Sequence, residues 1–293
     1  MANSLSPGFL VGHWTSTEAR TGCTVILPPA GNVTSCDIRG SSPSSRELEL
    51  LHPDRRLTET HGILLTGGST FGLAAADGVV QWLESRGTGY MTGAGVVVPI
   101  VPAAVILDLG TGSAVLRPGP DHGRAACEAA TEQVTTGLVG AGTGATVGKW
   151  AGFEHRQDGG VGIGRASGEG HEVCALAVVN PVGDVLKADG SVLRGTTASD
   201  PRLVLRPPPP IASHTVLAVV TTNAQLDKRD VRFLAARGSD GITVSVRPAH
   251  TRYDGDVVFA VAGPALGAPP ADLDVLGILA TEAVAAAIRN AVS

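Results

Sequence analysis

Aromatic residues make up only 3% of this 293-residue chain. Its core must therefore be built from Val, Leu, Ile and Ala, and its 39 glycines imply close backbone packing. Cysteine is sparse as well. Cys23, Cys36, Cys127 and Cys174 show no CxxC spacing and follow no secretory pattern, so reduced thiols in a cytoplasm are expected. Charged residues reach only 17%, with a net charge of −5 and no Lys/Arg cluster, which argues against a nucleic-acid partner. No apolar run approaches the roughly 18 to 20 residues of a membrane span. Apolar residues at 43% describe a globular chain with ample core.

What is present alternates strand-like and helix-like stretches. Thr24–Leu27 and Ile63–Leu65 read as strands. The second turns through Thr66-Gly67-Gly68-Ser69 into a helix expected from Thr70 to Arg86, with Ser69 as N-cap and Gly87 beyond its end. That turn has the form of a phosphate cradle, although close strand–helix packing explains it equally. Arg39 reads as the partner of a nearby carboxylate or as an anion clamp. Val96 to Asp108 is extended and apolar, with Pro99 and Pro102 at its bends, and suggests the wall of a binding groove. A helix is expected over Ala125 to Thr135.

Gly140 to Trp150 is a glycine-rich loop containing Gly148-Lys149. It is not a phosphate-binding P-loop, because Thr143 stands where the first Gly belongs and Trp150 cannot ligate magnesium. The dinucleotide fingerprint also fails, so no cofactor and no metal are expected. Lys149 is then either a surface lysine or a cation that the loop holds against something. Val173–Val179 is a buried strand ending at Asn180-Pro181. Asn180 is either a turn residue or a neutral donor for an oxyanion. From Lys187 to Ser213 the chain turns polar and proline-rich, as an exposed linker does.

The linker ends in Pro207 to Pro210 and is followed by Ser213-His214-Thr215, then by the apolar run Val216–Val220. Prolines cannot join a central strand, whereas the β-branched run suits a strand buried on both faces. Thr215 therefore stands where a solvated spacer meets a core strand. It is either the polar first residue of that strand or, if the chain is cut before it, a nucleophile carrying its own base. A freed α-amine has a pKa of about 8 and can accept the hydroxyl proton. Beyond it a helix is expected over Leu226–Arg237 with Gly238 as its stop, then strands at Ile242–Val246 and Val257–Ala262, and a closing helix at Leu273–Asn290. If the strand begins by Asp254, Asp254 and Asp256 share a face.

The set Gly12-His13, Thr21 to Val25, Arg39-Gly40, Leu65 to Ser69, Phe71 to Leu73, Gly142 to Lys149, Val179-Asn180, Thr215 and Asp254-Gly255-Asp256 resembles one family of N-terminal-nucleophile hydrolases. It comprises the L-aminopeptidase/D-esterases, the β-peptidyl aminopeptidases and the 6-aminohexanoate-oligomer (nylon-oligomer) hydrolases. The resemblance runs over nearly the whole chain. Thr in place of Ser, with Asp-Gly-Asp, looks like the nylon-oligomer branch.

The resemblance implies an α/β fold, a four-layer αββα sandwich forming a single catalytic domain. It implies self-cleavage between His214 and Thr215, into fragments 1–214 and 215–293 that stay together. Thr215 would be the nucleophile, Asn180 would hold the oxyanion, Lys149 would hydrogen-bond Thr215, and Asp254 and Asp256 would orient the amine and Lys149. His214 stands where the family often has Asn or Gly, and Leu107 where some members present an aromatic residue. The implied substrate is a small amide or peptide, and the implied assembly is a tetramer of cleaved pairs. Two other readings stand beside this one: an acetyl-transferring relative of the ornithine acetyltransferases, and an uncut, non-enzymatic assembly protein.

Overall fold

A computed structural model describes residues 3–199, 214–264 and 272–293. In chain order its principal strands are β1 (Leu10–Ser16), β2 (Thr21–Leu27), β3 (Val33–Ile38), β4 (Ile63–Thr66), β5 (Ala103–Val105), β6 (Gly160–Gly168), β7 (His171–Asn180), β8 (Thr215–Thr222) and β9 (Val257–Ala262). The helices are α1 (Ala75–Glu84), α2 (Pro120–Glu128), α3 (Lys228–Ser245) and α4 (Leu273–Asn290). One sheet runs β1-β2-β4-β5 and is extended at its edge by Ser45–Arg46. The other runs β6-β7-β8-β9-β3. Pairing is antiparallel except between β4 and β5 and between β8 and β9.

The two-residue period of the strands sorts their side chains into separate cores. In β8, Val216, Ala218 and Val220 join the cluster made with α3 and α4 through Leu234, Ile242, Ala283 and Val284. Leu217 and Val219 point the other way, into a cluster shared with Ile26 and Leu65 of the first sheet. In β2, Cys23, Val25 and Leu27 face Ala76 and Val79 of α1 and Ala126 of α2. Both faces of β8 are thus covered, and each fully buried Val or Leu contributes about 1.5–3 kcal/mol. This is why that strand reads as an unbroken apolar run. The four cysteines are free and buried.

Several expected boundaries move. The helix foreseen from Thr70 begins at Ala75, after a 3₁₀ turn over Ser69–Ala74. Ser69 makes no cap there. Gly68 and Ser69 are left-handed, at φ 80° and 54°, and their amides are tied to Asp108 Oδ1 at 2.7 Å and the Ile106 carbonyl at 3.0 Å. The helix foreseen over Ala125–Thr135 starts earlier, with Pro120 in its first turn where a missing N–H costs nothing. It stops at Glu128, and Thr131 bonds to Val11 instead.

The strand expected at Ile242–Val246 does not form, because α3 continues to Ser245. Gly238, read as a stop, lies inside that helix. A Cβ there would come within 2.9 Å of Val258 and 3.0 Å of Val220, so the glycine lets the helix sit down on the sheet. Arg39 resolves as an ion-paired residue, held by Asp37 at 2.9 Å and Asp240 at 2.7 Å. Val192–Arg194, within the expected linker, pairs with the strand Asp184–Leu186. Pro207 to Pro210 lie outside the described residues. The expected groove wall is largely interior: Val101, Ala103, Ala104, Val105 and Ile106 are buried. Among the described residues no helix is long and apolar enough to cross a membrane.

Candidate active site

Strand register assembles the site. β7 and β8 run antiparallel so that Asn180, the last residue of β7, sits directly opposite Thr215, the first of β8. β9 runs parallel to β8 with Val257 beside Leu217, and His214 and Asp254 form a parallel bridge just before it. The Asp254-Gly255-Asp256 turn therefore lies alongside His214-Thr215-Val216. Lys149 reaches the same place because its backbone is bound to the segment after β7: Gly148 N donates to the Gly183 carbonyl and Lys149 N to the Val182 carbonyl. Thr215, Asn180, Lys149, Asp254, Asp256 and His214 are all buried.

The peptide between His214 and Thr215 is gripped. Thr215 Oγ1 donates to the His214 carbonyl at 2.5 Å, and Gly255 N donates to the same oxygen at 2.7 Å. A Cβ on Gly255 would meet the Ser42 carbonyl at 2.6 Å and Thr215 Oγ1 at 3.0 Å, so only glycine allows this approach. The His214 imidazole is buried, and neither ring nitrogen has a hydrogen-bond partner among the described residues. Burial, with the Lys149 charge adding to it, lowers its pKa to about 2, so the ring is neutral.

Lys149 Nζ donates to Asn180 Oδ1 at 2.8 Å and to the Asn180 carbonyl at 3.0 Å, whereas the expected contact was Thr215. Thr146 N also donates to Asn180 Oδ1, at 2.9 Å. The amide orientation follows, since Oδ1 receives two donors and Nδ2, on the other side, donates to the Leu107 carbonyl at 3.5 Å. Burial lowers the Lys149 pKa to about 7, against the opposing pull of Asp254 and with some help from Arg156. A buried amine near neutrality can exchange a proton at ordinary pH.

The two carboxylates do not share a strand face, because β9 begins only at Val257. Asp254 Oδ1 accepts from Val182 N at 3.2 Å, and its Oδ2 accepts from Thr251 N at 2.9 Å and Thr251 Oγ1 at 2.5 Å. Burial and the charge of Asp256 raise the Asp254 pKa. Asp256 Oδ1 accepts from Val216 N at 2.7 Å, while Oδ2 lies 2.7 Å from His250 Nδ1. Sequence reasoning passed over His250 and Thr251, and it named Gly255 only as part of the Asp-Gly-Asp motif, with no role of its own. The first two stand just upstream of the Asp-Gly-Asp turn, and only the folded turn brings them back onto it. Asp108, at the end of the expected wall, is buried with a raised pKa caused by that burial.

The sequence matches peptidase family S58 over residues 6–293. An uncharacterized aminopeptidase of Mycobacterium tuberculosis is 38% identical over 292 residues, covering 90% of this chain and 81% of that protein. A 6-aminohexanoate-oligomer endohydrolase of Kocuria sp. is 31% identical over 297 residues, covering 95% and 79%. Among solved structures, the L-aminopeptidase D-Ala-esterase/amidase of Ochrobactrum anthropi, a variant of the Ntn-hydrolase fold, superposes with a TM-score of 0.73 at 19% identity, covering 99% of this chain and 85% of that one. A Burkholderia sp. β-aminopeptidase gives 0.72 at 24% identity, with 99% and 86% covered.

Proposed function

This chain belongs to peptidase family S58, hydrolases of amide bonds with relatives of aminopeptidase and oligomer-hydrolase type, and we propose that it cuts itself before Thr215 and then uses Thr215 as its nucleophile. The observation that carries this reading is the doubly hydrogen-bonded His214 carbonyl with the Thr215 hydroxyl already upon it. In processing, Thr215 Oγ1 adds to the His214 carbonyl carbon, the peptide C–N bond breaks, and the Thr215 nitrogen leaves as an amine. Water then hydrolyses the resulting ester, freeing a carboxylate on His214. Fragments 1–214 and 215–293 remain joined through the β7–β8 ladder. In turnover the freed amine takes the hydroxyl proton, and Asn180 Nδ2, with its oxygen side locked, donates to the developing oxyanion. Lys149 and the two carboxylates set the charge around that amine. The order of the core clusters, helices on the far side of each sheet and apolar residues between the sheets, supports a four-layer αββα sandwich as the frame.

For substrate we propose 6-aminohexanoate oligomers, including internal amides. Support comes from the Thr nucleophile, the Asp254-Gly255-Asp256 turn and the relatives that carry this activity in their names. The expected groove wall adds nothing to this choice, because Val101 and Ala103 to Ile106 are buried. The second reading is an aminopeptidase. It is favoured by the 38% identity to chains bearing that name. Assaying an aminohexanoate trimer beside its N-acetylated form separates the two. Retained cleavage supports the oligomer endohydrolase, and complete loss on acetylation assigns an enzyme that requires a free amine.

A further inference from the structure

His250 lies outside every motif read from the sequence, yet it touches the site at its most sensitive point. Its Nδ1 is 2.7 Å from Asp256 Oδ2 and its Nε2 is 3.2 Å from the Ser239 carbonyl. A carbonyl and an ionised carboxylate only accept hydrogen bonds, so both ring nitrogens must carry protons. Both partners are largely buried, the side chains being 15% and 2% exposed. His250 also holds a left-handed backbone, φ 51°, a conformation uncommon for a residue with a side chain and concentrated at functional positions. The other oxygen of Asp256 receives Val216 N, one residue from the nucleophile.

We propose that His250 is a positioning residue for Thr215: as an imidazolium fixed between Ser239 and Asp256, it supplies the counter-charge to Asp256 and holds that carboxylate against Val216 N. This rests on reading Thr215 as a nucleophile whose α-amine is the base. An unpaired carboxylate beside an α-amine favours its protonated form, which cannot accept the hydroxyl proton. With His250 charged, Asp256 anchors the strand without imposing that cost. Lys149, being buried and bonded to Asn180, makes no ion pair with Asp256.

The charged surroundings of His250 are Asp256 on its own turn, Arg39 beyond β3, and Asp37 and Asp240, which pair with Arg39. Burial and Arg39 oppose the imidazolium, but the bond and charge of Asp256, with the Ser239 carbonyl, outweigh them and raise its pKa.

The test is the pH profile of kcat/KM for the processed enzyme and its His250→Gln variant, with the small fragment's mass read for both. We expect the acid limb to move upward by about one to two pH units in the variant. That is a ten- to hundredfold loss at low pH, with KM and the alkaline plateau within about threefold of wild type. A plateau that falls while the limb stays put would reduce His250 to a structural role and overturn the proposal. If the wild-type small fragment does not begin at Thr215, the nucleophile reading itself has failed; if it does and the limb is unmoved, only the His250 role has failed. Should the variant not fold, the ring carbon NMR shifts of His250 in the wild-type protein decide: a doubly protonated ring at pH 7 supports the assignment, and a neutral one refutes it.

Discussion

Replacing Lys149 with methionine in an uncut Thr215→Ala chain isolates the titration of one buried amine. The folded state holds Lys149 at a pKa of about 7, whereas an unfolded lysine titrates near 10.4. The folded pKa is the lower of the two. Below about pH 7 both states carry the proton and the cost of burying the cation is felt in full. Between pH 7 and 10 the unfolded chain holds a proton that the folded chain has lost, so stability rises with pH, by up to ~1.4 kcal/mol per unit. From pH 7.5 to 9.5 that amounts to roughly 2–3 kcal/mol. Methionine fills similar space without titrating, and Asn180 Oδ1 keeps its bond from Thr146 N. Equilibrium urea unfolding of the two proteins at both pH values therefore gives a stability gap that changes by roughly 2–3 kcal/mol in favour of the lysine as pH rises. Groups that do not feel the Lys149 charge, His250 among them, cancel in the difference. A gap that stays constant between the two pH values would show an ordinary ammonium at Lys149 and remove it as a proton-exchanging group.

On the proposed role of Asn180 as oxyanion donor, Asn180→Ala should lower turnover by roughly two to three powers of ten in processed enzyme; an unchanged rate in fully cut protein removes Asn180 from the site. Asp227 caps α3 by accepting from Arg229 N at 2.7 Å and Asp230 N at 2.9 Å. Asp227→Ala should cost about 1 kcal/mol of stability by urea unfolding while kcat stays unchanged, since the cap sits at the helix end away from the Ser239–His250 contact.

Much of this arrangement is legible in the sequence. The run Val216–Val220 announces a strand covered on both faces, and the apolar spacing of Leu273–Asn290 marks a helix whose observed limits are the expected ones. Asn180 and Thr215 stand out individually, each at the end of a buried run. Their pairing is a matter of register, however, and register is set by which side chains reach which core, a long-range property no local pattern contains. Glycine misled at Gly238, where local rules read a helix stop but tertiary packing needed the absence of a Cβ. Ile242–Val246 misled for a related reason: a β-branched stretch took up helix because its buried members continued the face already set by Val231 and Leu234. His250 carries no local signal, since Asp256 and the Ser239 carbonyl meet it only in the folded turn, and Thr251 shows only its i, i+3 spacing to Asp254.

The most direct measurement is the intact mass of purified, aged protein, with Edman sequencing of the smaller species. We expect two associated fragments, 1–214 and 215–293, the smaller beginning with Thr215, and a single inactive chain from Thr215→Ala. An active protein that stays at full length, or a small fragment beginning at any other residue, would contradict the assignment of Thr215 as the nucleophile.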